Sequence, residues 1–237
     1  LQRNLFVFFI NLVTSIVFAR ILGPTIMGLY IILLLIPNYA EAFGRLKFDI
    51  AAVYFLGKGK SSIGEMVFIL NFIALTTSII LISLFVWQID WFYTHLFHSS
   101  PVDMRLHTYL VLLIIPIQFI LINYSYLHIH CENIAVYNRM AIIEALLSAS
   151  AGIIMLLILN WGILSILLGK VMGMLVSIIY SGYKLAKVEK MKPNLNIHLI
   201  LKMAKYSAHF YFGSIISHLH LYLTNLLTAI YLVPAQV

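Results

Sequence analysis

The chain has 237 residues, of which 62% are apolar and only 10% charged, with a formal net charge of +7 and a mean hydropathy of +1.01. So little charge cannot cover the surface of a soluble domain, which typically carries about 25% charged residues. The single cysteine, Cys131, excludes a disulfide framework and a cysteine zinc cluster. Basic residues that separate apolar spans, rather than cluster among aromatics, speak for membrane lipids as partners and against nucleic acid.

The composition and run lengths predict an all-α polytopic transmembrane bundle. Seven spans are read, at 4–22, 26–55, 66–87, 107–128, 140–160, 163–183 and 206–232. Each is near the 20 residues that cross about 30 Å of hydrocarbon as a helix. The second is longer, so a kink is expected at Pro37, with its charged last part at or beyond the membrane interface.

Span one carries Asn4, Asn11 and Ser15 on one face, with Thr14 beside them. Gly23-Pro24 then ends one helix and starts the next, with proline at a first-turn position and Arg20 at a helix C-terminus, where a cation is favoured. Gly28 allows close packing just inside. In span two, Glu41, Arg45 and Asp49 recur at i, i+4 and i+8, with Lys47 off that face. Acid–base–acid at this spacing neutralises itself. Two readings fit it: a charge ladder snorkelling to water, or a polar gate or cavity wall.

Span five carries Glu144, with Ser148 and Gly152 on its stripe. Span six holds Lys170, followed at helical spacing by Gly173, Ser177 and Ser181. A lysine this deep needs a carboxylate, a water-filled cavity or an anionic ligand. Glu144 is the natural candidate partner; the pair serves either bundle cohesion or a substrate or proton site. Span seven aligns Tyr206, His209, Gly213, Ser217, His220 and Thr224. Stripes like those on spans one and seven line a cavity between lobes or form hydrogen-bonded helix contacts. The pairs His128–His130 and His218–His220 sit at i, i+2, nearly opposite on a helix, so no metal site is expected.

Lysine and arginine placement sets the orientation. Lys58, Lys60, Arg139, Lys184, Lys187, Lys190 and Lys192 follow the even-numbered spans, whereas Trp87, Trp91, Tyr93 and Trp161 fall at the opposite ends. The positive-inside bias places the N-terminus and the basic 184–205 stretch in the cytoplasm. That stretch is the expected lobe boundary, with residues 1–205 a six-helix lobe with its basic linker and 206–237 the first helix of a second. Beginning at Leu1 without methionine and stopping soon after a span, the chain reads as an N-terminal fragment. It contains no GxxxxGK[ST], HExxH or GxSxG, so it reads as a non-enzyme without a cofactor.

The run Ala19-Arg20-Ile21-Leu22-Gly23-Pro24, continuing through Gly28 to Tyr30, resembles the R-x-L-G-P-x-x-x-G-x-Y signature of Wzx-type polysaccharide and O-antigen flippases. These form the oligosaccharidyl-lipid/polysaccharide exporter branch of the multidrug/oligosaccharidyl-lipid/polysaccharide exporter superfamily. Gly44, Ala51, Tyr54 and Phe55 before the basic loop at Lys58–Lys60, and the basic linker leading into the last span, extend the likeness. The resemblance implies a two-lobed transporter of the bacterial cytoplasmic membrane, working by alternating access and serving lipopolysaccharide or capsule synthesis beside other polysaccharide-assembly proteins. Its substrate would be a polyprenyl-pyrophosphate-linked oligosaccharide. Lys170 and Arg45 would then hold the pyrophosphate, with Asn11, His209 and His220 lining the cavity. In an antiporter of the same superfamily, Glu144 or Asp49 would instead be the carboxylate that couples a proton or sodium ion. The span-one stretch lacks the arginines of the branch that flips the peptidoglycan precursor. The competing readings are a proton- or sodium-coupled multidrug antiporter of the same superfamily and a membrane-embedded polysaccharide ligase or polymerase.

Overall fold

Inside hydrocarbon every backbone N–H and C=O must be satisfied within its own segment, so long apolar runs become helices. The computed structural model describes residues 2–97, 103–190 and 193–231, with backbone alone for residues 96, 218–222, 224–226 and 228–231. Among these residues it is all-helical: α1 (Gln2–Gly44), α2 (Phe48–Gly57), α3 (Ile63–Trp87), α4 (Ile89–Leu96), α5 (Arg105–His130), α6 (Ile134–Leu159), α7 (Ile163–Val188) and α8 (Ile197–Tyr231). Five of these, α1, α3, α5, α6 and α7, are long and apolar enough to cross a membrane. At 43 residues, α1 is about 64 Å long, twice the hydrocarbon thickness. It breaks at Gly23, whose φ of 79° and ψ of 167° leave the helical region. Residues on both sides of the break line one hollow, from Val7 and Asn11 to Ile31 and Leu34, so the two legs fold back as separate crossings. The long helices thus supply six crossings. The eighth helix does not reach the apolar level of the others among its described residues.

Three boundaries differ from the sequence expectation. Backbone dihedrals stay helical through Pro37, and the break falls instead at 45–47, where Leu46 and Lys47 take φ of 50° and 55°. Gly44, just before it, is wedged so tightly that a Cβ would stand 2.3 Å from Leu81 Cδ1 and 2.8 Å from Phe119 Cζ. The helix ends there, and α2 starts afresh at Phe48. In the basic stretch, α7 runs to Val188 and α8 begins at Ile197, so Lys202 and Lys205 are helical rather than part of a long loop. The outer connection folds its aromatics into the short α4, where Trp91 stacks on His95 at 4.6 Å and Phe92 packs on Phe85.

One end of the bundle gathers the basic turns. A Cβ on Gly57 would lie 3.9 Å from His130, Glu189 accepts a hydrogen bond from Ile63 N at 2.9 Å, and Asn194 Nδ2 donates to Glu65 at 3.1 Å. The first turn of α1 joins this end, with Arg3 over the Tyr137 ring at 4.3 Å. At the other end α6 turns into α7 through Asn160 and Gly162, both at positive φ.

Helices pack where small residues let backbones meet. Gly169 and Gly173 of α7 face Ser148 and Gly152 of α6, and a Cβ on Gly169 would stand 2.6 Å from Gly152 N and 2.7 Å from Ser148 O. Ser177 Oγ donates to Met140 O at 2.6 Å and Ser181 Oγ bonds His128 Nε2 at 2.9 Å. The stripe from 169 to 181 is therefore a packing seam. Gly169→Ala must displace backbone rather than a flexible side chain, and is expected to destabilise the protein by about 1–3 kcal/mol in a reversible unfolding assay in detergent; an unchanged midpoint would show that the seam is loose.

Candidate functional site

Lys170 follows Gly169 by one residue, so while the glycine stripe meets α6, the lysine is turned about 100° away from it. It faces a cavity of about 640 Å³ walled by the first leg of α1 (Arg3, Asn4, Val7, Asn11), by α5 (Gln118, Ser125, Tyr126), by α6 (Tyr137, Met140, Glu144) and by Met174 of α7. A second hollow of about 500 Å³ shares Val7, Asn11, Glu144 and Lys170, and continues past Thr14, Ser15 and Ser148 towards Tyr30. The two form one trough along α1, in which polar groups are set in a largely apolar wall. Asn4, Asn11, Thr14 and Ser15, grouped by their spacing, all line it.

Lys170 and Glu144 sit on the same wall without forming an ion pair. The ion pairs found among the described residues are Arg45–Glu41 and Arg45–Asp49, and neither Lys170 nor Glu144 makes a side-chain hydrogen bond there. Glu144 is the carboxylate that shares both hollows with the ammonium. Beside them, Gln118 Oε1 is buried without a partner among the described residues, as is Ser148 Oγ, which lies in the seam against Gly173. The site thus presents a cation, a carboxylate and the polar side chains of Asn4, Asn11, Thr14 and Ser15 to one space. Such a site can bind an anionic, hydroxyl-rich ligand, since each group keeps hydrogen-bonding capacity to offer it.

Arg45 is placed elsewhere. Its Nη1 donates to Glu41 and its Nη2 to Asp49, both at 2.7 Å. The side chains of Arg45 and Asp49 are only 7% and 1% exposed. The bonds cross the 45–47 break and tie α1 to α2. Arg45 shares a small hollow with Ile73, Thr77, Phe119 and Asn123. By helical rise these stand about 10–21 Å from the basic end of their helices, near the bilayer middle. Of the two readings of this ladder, snorkelling to water does not fit: Arg45 and Asp49 form a buried network inside the bundle. The reason is α2, whose further turns carry the chain from the break to the basic end. Gln118, on the trough wall, donates to Glu41 Oε2 at 2.7 Å and links the network to the cavity.

His209 is exposed on α8, and its Nδ1 lies 3.2 Å from Lys205 O; it does not line the trough. The His220 side chain lies outside the described residues. Arg20 is exposed near the Gly23 break, and Gly28 is buried just inside it. Helix α8 docks beside the 45–47 break, with Tyr206 stacked on Tyr54 at 4.2 Å and Tyr211 donating to Phe43 O at 2.8 Å.

Sequence reasoning passed over Arg3, Gln118, Tyr126 and Tyr137. A signal was present for α6, where Tyr137, Ala141, Glu144 and Ser148 recur at i, i+4, i+7 and i+11 on one face. For α5 the polar residues of the wall sit within an almost continuous apolar run, and only packing separates them from the lipid-facing side.

Membrane-crossing helices around a trough that holds polar groups define a multi-pass membrane protein of transporter type. The chain belongs to the polysaccharide biosynthesis protein family, which it matches over residues 3–237. It is a polysaccharide-related membrane transporter; members of this family are generally transporters rather than enzymes. No curated protein and no solved structure matches the chain.

Proposed function

We propose that the protein flips a polyprenyl-pyrophosphate-linked oligosaccharide across the bacterial cytoplasmic membrane for O-antigen or other surface polysaccharide synthesis, by alternating access. The observation that carries this reading is Lys170, a deep cation without an ion-pair partner among the described residues, facing a trough that holds polar groups. A pyrophosphate supplies the charge that the lysine lacks, and Asn11, Asn4 and Ser15 supply hydrogen bonds for sugar or phosphate oxygens. Glu144 competes with the phosphate for Lys170, which makes it the candidate coupling carboxylate. Arg45 and Asp49, spent on each other, hold the fold and do not contact substrate. The basic end faces the cytoplasm. In this reading residues 1–205 are the first lobe with its basic linker, and residues 206–237 begin the second.

A drug or cation antiporter would need a net acidic trough; Arg3 and Lys170 against Glu144 oppose that. The test is deletion of the complete gene. Lipid-linked repeats are expected to accumulate on the cytoplasmic leaflet while surface polysaccharide is lost, and unchanged surface polysaccharide would overturn the reading.

A further inference from the structure

Where α1 and α6 meet at the basic end, a wide hollow of about 950 Å³ opens between their first turns, bounded by Gln2, Arg3, Asn4, Tyr137 and Asn138, with Phe6 and Ile142 on its apolar flank. Arg3, Asn4 and Tyr137 also line the trough, so the hollow and the trough meet at Arg3. The guanidinium there is held in place. It lies 4.3 Å over the Tyr137 ring, and its Nε and Nη2 both donate to Asn4 Oδ1, at 3.0 and 2.7 Å. Its Nη1 makes no hydrogen bond among the described residues. A planar cation fixed by stacking and by a neutral amide keeps its full charge, unlike Arg45, which is neutralised by two carboxylates.

The flank decides which ligand fits. A trough of this size cannot take a polyprenyl chain, which must stay in hydrocarbon while its headgroup moves. The headgroup therefore needs an opening that is polar inside and apolar outside, at headgroup depth. The hollow combines these: the exposed Phe6 and the half-buried Ile142 border it, and Arg3 stands at the end of the bundle that carries the interfacial lysines. We infer that the α1–α6 seam is a second phosphate site, at which Arg3 captures the diphosphate of a membrane-anchored prenyl ester before it passes to Lys170. The inference rests on the flipping reading above and adds to it the place of loading and the cation that does it.

The test uses the complete protein in phosphatidylcholine nanodiscs, with native cysteines, Cys131 included, replaced by serine and an environment-sensitive fluorophore on Asn138→Cys. Farnesyl diphosphate, inorganic pyrophosphate and phosphatidylglycerol are titrated separately. Farnesyl diphosphate is expected to change the emission and to bind at least about tenfold more tightly than inorganic pyrophosphate, because the prenyl chain partitions into the bilayer. Arg3→Gln is expected to weaken it about tenfold or more, Arg3→Lys less. Equal affinity for the two diphosphates would overturn the loading role, as would a signal saturated by phosphatidylglycerol that farnesyl diphosphate cannot displace. No Arg3-dependent response to any probe would overturn the site. Lys170→Gln separates the two readings. If it leaves both the seam signal and transport intact, the trough reading fails and the seam stands. If transport needs Lys170 but the seam never responds, the seam alone fails.

Discussion

Lys170→Gln is expected to lower transport of lipid-linked oligosaccharide by about 10- to 100-fold, with the protein still folded and inserted. A charge-assisted hydrogen bond to a ligand contributes about 1.5–3 kcal/mol, and each 1.36 kcal/mol is a factor of ten in rate. The fold survives because Lys170 has no ion pair to lose among the described residues, and glutamine keeps most of the stem. The contrast is Glu144→Gln. If the carboxylate competes with phosphate for the ammonium, removing its charge tightens anion binding while impairing release or coupling. Transport in proteoliposomes and equilibrium binding of a prenyl diphosphate separate these effects. Wild-type transport by Lys170→Gln would reduce the lysine to a helper of bundle cohesion and remove the main support for the trough as the substrate site.

The largest stability effect is expected at Arg45. Arg45→Met leaves Glu41 and Asp49 facing each other at mid-depth without their shared cation, and should destabilise the protein by about 3–5 kcal/mol. The replacement also frees a break at which Leu46 and Lys47 already hold left-handed backbone. Replacing the three charged residues together by Leu, Met and Leu should recover much of that loss, because a buried ion network is often matched by well-packed apolar side chains. Recovery will be incomplete, since Gln118 Nε2 loses its acceptor on Glu41. Steric-trap or detergent unfolding measures both. A folded, stable Arg45→Met protein that has lost substrate binding would reverse the assignment and return Arg45 to the substrate.

By sequence, Arg45 belonged near the interface and Lys170 deep in its span. Arg45 lies among acids at helical spacing, and that spacing anticipated its pairing with Glu41 and Asp49, even though the helix breaks between them. What spacing could not give was depth. Counting from the charged end of an unbroken second span sets the ladder near water, whereas a break at 45–47 followed by α2 sets it in the middle of the bundle. For Lys170 the reverse holds. Its depth followed from its distance to either end of an apolar run, but its surroundings did not, because they come from α1, α5 and α6. The small residues near it suggested one polar stripe. Packing divides that stripe into a seam at 169, 173, 177 and 181 and a cavity-facing lysine one position over.

Fold class and the polar faces of α1 and α6 follow from composition and local periodicity, since hydrocarbon tolerates a helix only when its backbone is closed on itself and its charges are few. The location of the second break, the burial of the Arg45 network, the separation of Lys170 from Glu144 and the arrival of Arg3 at the mouth of the trough depend on contacts between helices far apart in the chain. Those distances are set by how closely Gly44, Gly152, Gly169 and Gly173 let neighbouring helices approach, a quantity no single segment carries.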